Sequence, residues 1–216
     1  MLSDASCGAV LREPEKVDLP RRGDAKPVGS ALLDVWSLGS TQLDAVAAEA
    51  FHQLEAHIRH GRDGFAWCRW AVQALDSGTF LVADARSVDG GWALDAIIAL
   101  TADTFCTSCP LHTGAPPDGA PRDTLTVLLR KDIPRAEAED VLQRQRPTLL
   151  RRGLMAGLLH PESTLRPLTP GPEGMPYRVG WPFLTLRWAV ADDEGFVGIN
   201  PELRALLKAW MDAIGN

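Results

Sequence analysis

No stretch of this chain stays apolar for the roughly 20 residues that a membrane-spanning helix needs, so a membrane partner is not expected. The opening ten residues, MLSDASCGAV, bring in an acid early and lack a long apolar run, so no secretory leader is expected either. Cysteine is scarce. Four in 216 residues are too few for a disulfide scaffold, which points to a reducing cytoplasm. A basic excess is also lacking. The net charge is −6, and the basic residues are scattered apart from Arg144, Arg146, Arg151 and Arg152, so no nucleic-acid partner is expected. Absent too are a Gly-rich phosphate loop, a metalloprotease motif and a nucleophile elbow.

What remains has the size and patterning of one α/β domain. Residues 1–30 are charged, carry Pro14, Pro20 and Pro27, and show no apolar period. They are read as an arm, flexible or ordered on contact, before a single domain over 31–216. Ser40 and Thr41 can cap a helix in which Leu43, Val46, Ala47, Ala50, Phe51, Leu54 and Ile58 recur at helical spacing. Its histidines do not converge: His57 falls on the apolar side, His52 opposite and His60 at the flank. Four apolar runs read as strands: Thr79–Ala85, Thr124–Leu129, Leu154–Leu159 and Phe183–Val190. Helical patterns separate the first three, and crossovers of that kind demand a four-stranded, mixed and partly parallel sheet. A C-terminal helix is expected after Asn200 and Pro201, and Pro147 is expected to kink or restart the helix before Arg152.

The stretch from Arg151 to Asp193 is the most informative. Its third apolar run ends in His160-Pro161, a proline-rich connection follows, and the fourth run carries one charge, Arg187. The chain over about 65–197 resembles a family of small proteins known as a domain of unknown function, found in actinobacterial natural-product gene clusters. Arg152-Gly153-Leu154-Met155, His160-Pro161 and Leu186-Arg187 with Asp192 or Asp193 behind it match that family's motifs. Cys68 matches the cysteine of its opening Cys-Pro-Phe, although Arg69-Trp70 replaces the rest, and Gly180-Trp181-Pro182 stands where the family has Arg-Ser-Pro. The layout is also faintly similar to haem-dependent enzymes that hydroxylate a guanidino nitrogen.

What the resemblance implies is a haem-dependent oxidative enzyme of specialised metabolism, acting on an amino-acid-like small-molecule substrate. His160 would then be the axial haem ligand or a general base, and Cys68 a second cofactor contact. The plainer alternative makes His160 an anchor for the loop that follows it. Arg187 would clamp a substrate carboxylate or haem propionate, or be consumed structurally by Asp192, Asp193 or Glu194. The two side chains are expected to share a pocket roofed by the connection, with Tyr177 and Trp181. A non-catalytic binding or partner protein is the second reading. The third is a thiol redox protein using Cys106 and Cys109, although that C-x-x-C closes a helix rather than opening one. A homodimer is compatible with all three.

Overall fold

The computed structural model describes residues 32–38, 40–59, 69–86, 93–108, 123–162 and 179–214. The arm at 1–30, Cys68, Cys109, Tyr177 and most of the proline-rich connection lie outside the described residues. The elements run β1 (Trp36–Ser37), α1 (Ala45–Arg59), α2 (Arg69–Ser77), β2 (Phe80–Asp84), α3 (Leu94–Ser108) and β3 (Thr124–Leu128). Then come α4 (Arg135–Arg151), β4 (Leu154–Leu159), β5 (Phe183–Trp188), a 3-10 turn (Ala191–Asp193), α5 (Glu194–Val197) and α6 (Pro201–Ile214). No helix among the described residues is long and apolar enough to cross a membrane.

The sheet is mixed, as expected, but among the described residues it has five strands in the order β1-β2-β3-β5-β4. The added strand is two residues long and pairs antiparallel with β2 through Trp36 and Ser37. So short a segment has no period of its own, and only its partner defines it. β2 and β3 are parallel, with α3 as the crossover, and β5 lies antiparallel between β3 and β4. β4 therefore points the same way as β2 and β3, so three carboxyl ends gather at one end of the sheet, where β5 begins.

Alternation along the strands sorts the core into two layers. Ala83, Leu125, Val127, Leu154, Ala156, Leu158, Leu184, Leu186 and Trp188 face α3, α4 and α6. Phe80, Val82 and Phe183 face α1 and α2, where Phe51, Leu54 and Ala74 close the second cluster. With both faces covered, β3 is buried at every position, which explains its uninterrupted apolar sequence.

Local chemistry sets the boundaries. The cap of α1 is Asp44, whose Oδ1 accepts the Ala47 N–H at 2.7 Å, and not Ser40 or Thr41. Asn200 caps α6, its Oδ1 accepting the Leu203 N–H at 3.2 Å. Pro147 sits inside an unbroken α4. The carbonyl that it leaves without a helical donor belongs to the exposed Gln143, where water can serve. Between α4 and β4 the chain turns at Gly153 with φ +73°, directly under Trp210; a Cβ there would enter the indole ring. Trp210 stacks on Trp188 at 5.7 Å and donates its Nε1–H to the Ala189 carbonyl at 3.0 Å. Gly153 is thus required twice, by its backbone angle and by the close approach of α6.

Candidate functional site

His160 follows β4 and is buried, 5% exposed. Its Nδ1 accepts the N–H of Glu162 at 3.1 Å, which leaves the proton on Nε2, and Nε2 donates to the Ile133 carbonyl at 3.0 Å. Both ring nitrogens are therefore occupied. One pins the turn leaving β4, and the other ties that turn to the residues just before α4. An axial haem ligand needs a ring lone pair aimed at the metal. In this tautomer the only lone pair is given to Glu162, so His160 does not fit that role in this arrangement.

Arg187 lies on β5 opposite Met155 of β4 and Thr124 of β3. Its guanidinium makes a two-toothed pair with Asp193. Nη1 donates to Oδ2 at 2.8 Å and Nη2 donates to Oδ1. Nη1 also donates to the carbonyl of Trp188 at 2.9 Å. Asp193 is fully buried, and its Oδ2 takes a further bond from the Val190 N–H at 2.9 Å. The pair fastens the turn by which the chain leaves β5 and enters the last two helices.

His160 and Arg187 are not brought together. Arg187 alternates with Thr185 and Phe183, on the side of α1 and α2, whereas the His160 ring reaches Ile133 on the side of α4. They also lie at opposite ends of the sheet. The register carries His160 level with Pro182, five residues before Arg187, or about 17 Å at the rise of a strand. The expected shared pocket is therefore not formed.

Trp181 is found elsewhere, at the rim where the three carboxyl ends gather. It packs against the edge of the second core layer. The Lys131 ammonium sits 4.1 Å from the centre of its ring, and the Arg86 guanidinium carbon 5.6 Å. Both distances fall within the reach of a cation–π contact. Arg86 is neutralised. Its Nε and Nη2 engage Asp84 at 2.9 and 2.6 Å, and Nη2 reaches Asp44 at 2.6 Å. The Asp84 hydrogen bonds hold the Arg86 pKa above its ordinary value, against the opposing pull of burial. On Asp44, the Ala47 N–H is the largest influence and lowers the carboxyl pKa. Lys131 is exposed and meets no carboxylate among the described residues. Among the described residues, this rim combines an aromatic plane with a cation that meets no carboxylate. Lys131, Arg86, Asp84 and Asp44 were not singled out by the sequence reading. The signal that could have found them is positional: each basic residue closely follows a parallel strand, the end at which α/β sheets bind ligands.

Cys106, in the last turn of α3, is half-buried, and burial pushes its thiol above the ordinary range. Arg152 pulls the other way, its Nη2 lying 3.4 Å from the sulfur and 2.8 Å from Asp103. Its proposed redox partner, Cys109, is outside the described residues. Among the described residues no group of three or more His, Cys, Asp or Glu could hold a metal ion. Comparison with protein-family models, curated proteins and solved structures finds no match to this chain.

Proposed function

We propose that this protein binds a small carboxylate-bearing molecule at the rim formed by Trp181 and Lys131, as a carrier or partner protein rather than a haem enzyme. The observation that carries this reading is the Lys131 ammonium, held 4.1 Å over the indole of Trp181 with no carboxylate of the described residues to neutralise it. A planar or apolar ligand body lies along the indole, and its carboxylate meets the ammonium. Arg86, 5.6 Å from the ring centre, is held by Asp84 and Asp44 and so does not compete for the ligand. An apolar plane with one or two orienting polar groups is what binding a small molecule requires. Two of the groups from which oxidative chemistry was expected are otherwise engaged, His160 by two backbone groups and Arg187 by Asp193.

A tryptophan-fluorescence titration with aliphatic and aromatic carboxylates, and their amides as controls, tests this. Saturable quenching by carboxylates but not amides, lost in Trp181→Leu, is the expected result. An absorption spectrum is the complementary check. A Soret band in protein made with haem present, abolished by His160→Ala, would overturn the binding reading in favour of the oxidative one.

A further inference from the structure

Four large hydrophobic side chains are exposed among the described residues, and two of them fall within four residues of each other: Phe196 at 49% and Ile199 at 94%. A single exposed hydrophobe is ordinary, whereas two on one turn form the apolar centre from which a small contact surface can be built. Gly198, between them, has φ 60° and ψ −141°, a conformation open essentially to glycine alone. Two arginines fasten this turn through its carbonyls. Arg146 Nη1 donates to Phe196 at 3.1 Å, and Arg204 Nε donates to Gly198 at 2.6 Å. Among the described residues neither guanidinium meets a carboxylate and the buried Arg146 Nε has no hydrogen-bond partner. Glu194, at the start of α5, is exposed and meets no cation among the described residues.

We propose that this turn is a dimerisation surface. Two copies meet about a two-fold axis, with Phe196 and Ile199 of one protomer against Ile199 and Phe196 of the other, and Arg146 and Arg204 of each facing Glu194 of its partner. The charge pattern selects a second copy as the occupant. A two-fold interface requires a patch that complements itself, and this one carries charges of both signs, unpaired with an opposite charge among the described residues, around an apolar centre. An anionic membrane or a uniformly acidic peptide would set like charge against Glu194, whereas a second copy brings its own Arg146 and Arg204 to meet it. The apolar centre is small, so the interface falls at or below about 1,200 Å² and its dissociation constant in the micromolar range. The turn lies beyond the carboxyl end of β5, at the end of the sheet opposite Trp181. Dimerisation therefore leaves the Trp181 rim open, and the inference stands independently of the proposed function.

Sedimentation velocity on the full chain, from roughly micromolar to near-millimolar protein, tests it. The expected result is a monomer–dimer equilibrium for the natural chain. Ile199→Asp should remain monomeric throughout with an unchanged circular dichroism spectrum, since a side chain so exposed supports nothing in the monomer. Arg204→Glu should weaken association about tenfold or more, and adding Glu194→Arg to it should restore most of the loss. A natural chain monomeric at every concentration overturns the proposal, as does a dimer indifferent to Ile199→Asp. If that monomer instead co-floats with phosphatidylserine vesicles, the turn is a lipid contact and the proposal is equally overturned.

Discussion

Replacing Arg187 by alanine should cost stability heavily. The perturbation removes a two-toothed partner from Asp193, which is fully buried and, among the described residues, would retain only the Val190 N–H as a donor. It also frees the Trp188 carbonyl, which now accepts from Nη1 at 2.9 Å. Stranding one member of a buried ion pair costs roughly 3–5 kcal/mol. For a chain of this size each kcal/mol lowers the melting temperature by about 2–4 °C, so a fall of roughly 6–20 °C is expected. Urea unfolding followed by tryptophan fluorescence gives the free energy. Arg187→Lys keeps the charge but loses the fork, and should recover only part of the loss. The double variant Arg187→Met with Asp193→Leu removes both charges and should lie much nearer the natural chain than Arg187→Ala does. A loss below about 1 kcal/mol for Arg187→Ala, together with abolished ligand binding, would refute the reasoning. It would mean that Asp193 does not depend on Arg187 and that the guanidinium serves a ligand.

Other outcomes follow from the same structure. Burial lowers the His57 pKa below its ordinary 6.5, so the folded state prefers the neutral ring. The unfolded chain takes up that proton at higher pH than the folded one. Stability should therefore hold above about pH 6.5 and decline as pH falls through it, a decline flattened in His57→Leu and read from urea midpoints at several pH values. Gly153→Ala should destabilise by about 2 kcal/mol or more, because the new Cβ meets the Trp210 ring and φ is +73°; near-natural thermal stability would count against it. Cys106 should react slowly with iodoacetamide at neutral pH, its thiol being held protonated by burial. Rapid labelling of Cys106, resolved by mass spectrometry, would revive the thiol-redox reading.

The motifs that carried the family resemblance stand out here as joints of the fold. Arg152 ties the end of α4 to Asp103 and Cys106 on α3. Gly153 lets Trp210 approach, and Leu154 is fully buried beneath that contact. His160 binds the turn after β4 to the segment before α4, and Arg187 locks the exit from β5. A histidine at a strand end and an arginine within a strand look the same in sequence whether they hold a ligand or a turn. The difference lies in which backbone groups come near, and only the folded chain sets that.

The runs of the sheet were legible because apolar strands of five or six residues, the first three separated by helical periods, leave few alternative layouts. The place of β5 was not legible. Either neighbour could have accepted it, and its insertion between β3 and β4 is decided by register across the whole sheet. That insertion sets the end of the sheet at which Trp181 emerges. The pairing of Lys131 and Arg86 with Trp181 joins residues 50 to 95 positions apart in the chain, beyond the reach of any local pattern.

The most direct test compares calorimetric titrations of one carboxylate, chosen by the fluorescence screen, against the natural chain, Lys131→Ala and His160→Gln. Lys131 is exposed, so its loss should leave stability within about 1 kcal/mol while weakening binding about tenfold. His160→Gln should lower stability, and the fraction that stays folded should bind with near-natural affinity. Binding unchanged in Lys131→Ala but abolished in folded His160→Gln would contradict the assignment and return the site to the end of β4.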